Sequence, residues 1–505
     1  MKETRIMKLY KYLIFIFLFS SMLYSNSTIS GFSNFYYISK LDDGGLIKLP
    51  YRMIGVNWEH LTRDTKLKSS ISLEYLPKND ILFSQNDPQD FLLDLRELYF
   101  TWYLGETFGN FIPLEISIGK QFNTWGFVDQ NSPLDVVNPI DYNYLFEVGT
   151  QRKLANVMGK INIEFSNLSV QLVSSPFHAI NRFPSSSGDI PVELPALPRE
   201  KQFWDDDDFM GEYGANLSFS LGDRIDLGAS YFNGKGRIFN LSGINVHNNN
   251  NSASETPDTV FSYRSTQMVG GGMQYTGDNF ILSFDGAYFK TEDDNKDIER
   301  AHPYYPWLTE IYENRSYSFE ESVEYYQYAI QIETELLFDV NFVGQLFKNK
   351  IIDYKALELP IDFEINLPQF EFNPNNFDTR DYFYPDMGSS LGFLTNEAIL
   401  FGLQKSFNQN RLLVNYKNIS DLEYKGSFNE LELSYKINDN TKVIMAINSI
   451  AGDDSHPKSK SSIEYENEEL EASGEPTRDY VRGEDYPFNQ MKDYSHIRFQ
   501  IKFNF

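Results

Sequence analysis

The chain has 505 residues, no cysteine, and 44 basic against 71 acidic side chains, for a formal charge of −27. The lack of cysteine removes thiol catalysis, disulfides and thiolate metal sites, and an acidic balance without a Lys/Arg stripe argues against a nucleic-acid partner. No apolar run after residue 25 approaches the ~18 residues a membrane helix needs, so helical spanning is excluded.

At the N-terminus Lys2, Arg5, Lys8 and Lys11 precede the apolar run YLIFIFLFSSMLY, which ends at the small residue Ser25. That order predicts a secretory signal peptide over 1–25, whether the start is Met1 or Met7. No cysteine follows, so it is not a lipoprotein signal. The exported part, 26–505, is expected to form one domain, with its first strand too soon after the cleavage site for a plug domain.

From there the pattern has period two. KSSISLEY sets Ile71, Leu73 and Tyr75 against Ser70, Ser72 and Glu74, and KINIEF sets Ile161, Ile163 and Phe165 against Lys160, Asn162 and Glu164. RIDLGASYF, YYQYAIQIETEL and NELELSYKI alternate in the same way. In the closing SHIRFQIKFNF, Ile497, Phe499, Ile501, Phe503 and Phe505 share one face; His496, Arg498, Gln500, Lys502 and Asn504 share the other. Period two places these sets on opposite faces of a strand. Charges on the second face require water, which a barrel with lipid outside and a wet lumen supplies.

Link lengths give an independent criterion. Short links fall at 166–167, 222–223, 277–278, 408–410 and 438–440, on residues that suit tight hairpins. Between them lie long polar links at about 123–153, 175–212, 233–265, 291–321, 348–391 and 451–492. This alternation predicts an all-β, transmembrane, antiparallel up-and-down barrel of about 16–18 strands, with long extracellular loops and short periplasmic turns. Eighteen strands fall near 30–39, 51–62, 67–76, 91–104, 113–122, 154–165, 168–174, 213–221, 224–232, 266–277, 279–290, 322–337, 339–347, 396–407, 411–418, 427–437, 441–450 and 493–505. The first two and 339–347 are the weakest of these, and sixteen is the alternative count. A barrel of ~16–18 strands is wide enough for an aqueous channel.

The stretch GKQFNTWGFVDQNSPLDVVNPIDY, 119–142, then falls at the end of the fifth strand and in the third outer loop. Trp125 beside Gly126 offers an anchor next to a flexible backbone, Pro133 and Pro139 fix φ, and Asp135, Asn138 and Asp141 can satisfy turn amides. The pattern G-K-Q, W-G, an Asp three residues on, P-x-D-V-V-N-P and a closing Asp resembles a large, mostly uncharacterised family of porin-like outer-membrane barrels. FVGQLF at 342–347, the acidic link after it and the terminal strand support the likeness more loosely. It implies a monomeric or trimeric barrel moving small solutes, with no catalytic residue. General diffusion porins commonly fold their third loop inward, so 123–153 is expected inside the lumen. Trp125, Asp129, Asp135, Asn138 and Asp141 are the candidate constriction residues.

Lumen-facing charges follow from the alternation: Glu74, Glu97, Glu115, Glu164, Asp226, Asp285, Glu333, Glu335, Glu430 and Glu432 against Lys68, Lys160, Arg411, Lys417, Lys436, Arg498 and Lys502. This excess predicts mild cation preference. Four outer links hold most of the negative charge, with 8 acidic against 3 basic residues in 175–212, 9 against 3 in 291–321, 8 against 4 in 348–391 and 11 against 5 in 451–492. They read as a solvated rim, or as carboxylates bridged by divalent cations to lipopolysaccharide. No EF-hand spacing marks a dedicated Ca²⁺ site, and neither a cofactor nor a metal is expected.

The expected location is the outer membrane of a Gram-negative bacterium. The expected partners are its lipid and lipopolysaccharide, the barrel-insertion machinery that reads the strand ending at Phe505, small solutes and, compatibly, further copies of the chain. Two other classes compete with a channel: a loop-plugged adhesin or surface structural protein, and an outer-membrane hydrolase. The hydrolase is disfavoured because His178, His247, His302 and His456 lie in outer links without a nucleophile motif beside them.

Overall fold

The computed structural model describes residues 26–78, 82–83, 88–105, 113–145, 147, 149–184, 198–204, 211–248, 255–360, 365–367, 370–372, 378–423, 426–452 and 494–505. The expected signal peptide 1–25, the run Asp205–Asp208, His456 and nearly all of the acidic link 451–492 lie outside the described residues.

The strands are β1 (Ser27–Lys40), β2 (Tyr51–Leu61), β3 (Thr65–Tyr75), β4 (Phe91–Tyr103), β5 (Leu114–Gln121), β6 (Asn156–Glu164), β7 (Leu168–Ser175), β8 (Glu212–Leu221), β9 (Ile225–Lys235), β10 (Asn240–Asn248), β11 (Glu255–Ser262), β12 (Ser265–Thr276), β13 (Phe280–Glu292), β14 (Ile311–Ser318), β15 (Ser322–Leu336), β16 (Val340–Lys355), β17 (Ile365–Leu367), β18 (Phe370–Phe372), β19 (Glu397–Phe407), β20 (Leu412–Asp421), β21 (Ser427–Lys436), β22 (Thr441–Ala451) and β23 (His496–Asn504). Eighteen of them form one antiparallel sheet, each pairing with the next barrel strand in sequence. The sheet closes where β1 pairs with β23, Phe32 opposite Asn504 through Lys40 opposite His496. Eighteen strands, not sixteen, make the barrel. No helix among the described residues is long and apolar enough to cross a membrane.

The face polarity is inverted relative to a water-soluble barrel. On β23, Ile497, Ile501 and Phe503 are exposed while His496 and Gln500 are buried. Met445 and Ile447 on β22, Leu431 and Leu433 on β21, and Leu93 and Leu98 on β4 continue the outward apolar surface. A continuous exposed apolar band over polar inward residues is a lipid-facing wall. The short links all fall at one end (the turn end). Gly222, Phe338–Asp339 and Asn408–Asn410 take positive φ there, as tight hairpins demand.

The long links carry structure of their own at the opposite, loop end. β10, β11 and β14 form a three-stranded sheet, and β17 and β18 a hairpin. Leu241, Ile244, Val246, Phe261 and Phe319 bury a small core in that sheet. His247 and His302 lie in these outer links as expected and are buried there, with ring centroids 5.3 Å apart. Burial holds both below the usual histidine range, with Asp258 pulling up and Arg300 pushing down.

Candidate functional site

The segment 122–155 runs against the inner wall, and wall side chains hold its backbone. Asp285 on β13, fully buried, accepts hydrogen bonds from the Phe127 and Val128 amides at 2.8 and 2.7 Å. Trp125 Nε1 donates to Gln171 on β7 at 2.6 Å. Gln331 on β15 and Gln345 on β16 bind Asp129 and Asn131: the Asp129 amide donates to Gln331 at 3.2 Å, and Asn131 Nδ2 to Gln345 at 2.6 Å. Gly126 sits at φ +97°, where an added Cβ would lie 2.0 Å from Ser132 Oγ and 2.5 Å from Asp285. Only glycine fits that approach.

Arginines hold the return leg. Arg52 on β2 donates to the Gln151 carbonyl at 2.8 Å; Arg96 on β4 donates to those of Lys153 and Thr150 at 3.0 and 2.7 Å. Arg237, after β9, is buried against Glu212 at 2.7 and 2.9 Å and also donates to the carbonyls of Ala179, Val136 and Val137. A second segment, 378–396, docks beside the first. Asp386 accepts from Thr266, Thr291 and Tyr325, and Gln327 accepts from the Ser389 amide at 2.8 Å. Between these segments and the wall lies an apolar core of Trp125, Leu134, Met158, Phe232, Met268, Phe289 and Phe383. Met158, Phe232, Met268 and Phe289 point inward, so this half of the lumen is packed rather than wet.

The other half holds a cavity of about 1110 Å³. Its lining runs from Ile38, Leu394 and Tyr494 at the loop end to Gln404, Lys442 and Lys502 at the turn end. Eight Arg/Lys and six Asp/Glu line it: Arg52, Lys68, Arg96, Arg152, Lys417, Lys442, Arg498 and Lys502 against Glu59, Glu97, Asp129, Glu147, Glu430 and Glu432. At the loop end it meets an apolar cluster built from several outer links, including Ile47, Tyr142, Leu145, Ile238, Leu391, Phe393 and Tyr494. Beside that cluster an ion network joins loop to wall. Arg182 contacts Asp141 and Glu74 at 2.9 Å each, Arg52 lies 3.6 Å from Asp141, and Tyr144 donates to Glu74 at 2.7 Å. Burial raises the Asp141 carboxyl, and Arg182 opposes that rise.

Of the five constriction candidates, Asp129 lines the cavity, while Trp125, Asp135, Asn138 and Asp141 are built into packing. Asn138 clasps the loop base, accepting from the Asn123 amide at 2.6 Å and donating to the Leu154 carbonyl at 2.9 Å. Asp135 pairs with Lys153. Among the wall charges, Lys68 meets Glu97 at 2.7 Å, Arg498 meets Glu432 and Glu430 at 2.7 and 3.2 Å, and Lys417 meets Glu430 at 3.5 Å. Lys160 faces Glu115 and Glu97. Glu115, Glu164, Asp226 and Glu333 accept from Ser117, Ser169, Ser220 and Gln331. Glu335 and Arg411 are exposed near the turn end, Arg411 in the turn before β20.

Several residues of this site escape alternation arithmetic. On β4 the register slips between Ser70 and Ile71 of its partner strand, leaving Arg96 as an extra residue. That bulge turns both Arg96 and Glu97 inward, where strict alternation would send one into lipid. Arg52 sits at a similar slip on β2. Among the histidines, His178 Nδ1 lies 3.0 Å from Glu212, and burial lowers its pKa. His60 pairs with Ser27 at 2.9 Å beside Trp58.

No family model matches the sequence, and no curated protein matches it. Among solved structures, the chain is similar to Acinetobacter baumannii OccAB2, at 11% identity over 95% of this chain and 98% of that one, with TM-score 0.42. It is also similar to Pseudomonas aeruginosa OpdK with vanillate, at 10% identity over 95% and 98%, TM-score 0.44. A third is Escherichia coli Wzi, an outer membrane protein involved in group 1 capsule assembly and a carbohydrate-binding β-barrel, at 9% identity over 98% and 87%, TM-score 0.43. The class is defined by the chain's own wall: a closed, 18-stranded transmembrane β-barrel.

Proposed function

We propose that the chain is a porin-like conduit in the outer membrane of a Gram-negative bacterium, passing small hydrophilic solutes without catalysis. Its short turns then face the periplasm, β23 presents Phe505 to the insertion machinery, and the acidic outer links meet lipopolysaccharide. The observation that carries this reading is the cavity of about 1110 Å³, lined by both charged and amide side chains from the loop end to the turn end. The apolar cluster at the loop end is the gate, so solute passage requires the outer links to shift.

The sequence-based expectation of cation preference counts wall carboxylates whether or not solution reaches them. Asp285, for example, is consumed by two loop amides. The cavity itself has a small basic excess, which supports weak anion preference instead. The test is planar-bilayer conductance of the refolded mature chain, with the reversal potential in a salt gradient. Brief openings with weak anion selectivity are expected, and Phe393→Ser with Leu394→Ser should lengthen them. A bilayer that stays sealed in both proteins would move the surface-structural reading ahead, which the packed outer cluster already favours over the hydrolase.

A further inference from the structure

The turn end of the lumen carries a feature that solute passage alone does not require. Lys436 on β21 stands opposite Lys442 on β22, and Lys442 stands opposite Lys502 on β23. All three belong to the inward set of their strands. The Lys436 amide donates to the Arg411 carbonyl at 2.8 Å, which extends the basic row to the neighbouring turn. Like charges directly opposite across strands destabilise a sheet. Elsewhere in the lumen, wall cations are set against carboxylates, as in Lys68–Glu97, Lys417–Glu430 and Arg498–Glu432.

The row has no such ion pairing among the described residues. Lys502 Nζ lies over the Phe32 ring at 5.2 Å, and neither Lys436, Lys442 nor Lys502 forms an ion pair. The acidic groups that face it are engaged or remote from pairing distance. Glu430 and Glu432 are held by Arg498. Glu147 is shared between Arg498 at 3.8 Å and Tyr36 at 3.5 Å. Asp439, in the turn between β21 and β22, is exposed and pairs with none of the three. Lys442 and Lys502 both line the cavity, so a solute inside it reaches them.

We propose that this row is a binding site for a polyvalent small anion at the turn-end mouth of the lumen. Adjacent strands are ~4.8 Å apart, so three ammonium groups across three strands span roughly 10 Å. That matches two or three anionic groups on one molecule, whereas a monovalent anion engages a single lysine. Lysine is a point charge without the planar fork of arginine, so carboxylate and phosphate groups share the required chemistry. The row is solvent-accessible, and binding weakens with salt.

The test is titration calorimetry on the detergent-folded full chain at low salt, with citrate and pyrophosphate as the two probes and acetate as the monovalent control. The expected result is one site for a polyanion and none for acetate. Lys442→Gln with Lys502→Gln should weaken binding at least tenfold, Lys442→Arg should retain it, and Lys405→Gln, on the lipid face at the same end, should leave it unchanged. Stronger heat with citrate assigns a polycarboxylate; stronger heat with pyrophosphate assigns a phosphate ester. Without anion, the double glutamine variant should melt higher than the parent, because the repulsion is gone. Equal affinity in the parent and the double glutamine variant, or no polyanion binding by the parent, overturns the proposal.

Discussion

Asp285→Ala should free the third outer loop from the wall, raising single-channel conductance and lowering folding stability together. Two loop amides, those of Phe127 and Val128, lose their acceptor in a site where Asp285 is wholly buried. Leaving a buried donor unpaired costs about 1–3 kcal/mol, so a loss of about 2–4 kcal/mol is expected. Urea titration of the refolded chain reads the stability, and the bilayer reads the conductance. Asp285→Asn keeps one acceptor oxygen and should fall between. Unchanged stability and conductance in Asp285→Ala would mean that the loop does not depend on this anchor.

Arg237→Ala should be the most destabilising single change near the gate. Its guanidinium, 3% exposed, pairs with Glu212 and caps three loop carbonyls. Breaking a buried pair by removing one partner costs about 3–5 kcal/mol, because the other charge stays buried without compensation. Adding Glu212→Gln should recover part of that loss, since His178 and the remaining polar groups can satisfy a neutral amide. A double-mutant cycle isolates the coupling. A cycle that closes with no interaction energy would contradict the pairing.

What the sequence revealed and what it hid follow from the range of the interactions involved. A period of two is local, so the eighteen strands could be placed to within a few residues, except at the end of 339–347, which runs on in the structure to Lys355. The docking of the third loop is not local. Asp285 meets Phe127 across 158 residues and Gln345 meets Asn131 across 214, and no spacing rule connects such positions. Alternation also presumes that every inward side chain is wet. Met158, Phe232, Met268 and Phe289 violate that because two loop segments cover them.

Two further misses have their own causes. The β4 bulge shifts the face of every residue beyond it, so Arg96 could not be assigned from pattern alone. Lys442 escapes the alternation because TKVIMAINSI is apolar on both faces, with Ile444 and Ala446 inward and Val443 and Met445 outward. Its neighbours Lys436 and Lys502 were legible, but the row they form depends on register across three strands.

The third loop is fixed to the inner wall and leaves water on one side only. A chain without cysteine permits a direct measurement: introduce Asn131→Cys and Gln345→Cys together, and treat intact cells with a short thiol-to-thiol cross-linker. Efficient intramolecular cross-linking is expected, with little labelling of residue 131 by a bulky, impermeant maleimide added from outside. Ready labelling by that maleimide, with no cross-link, would place the loop outside the barrel and contradict the divided lumen.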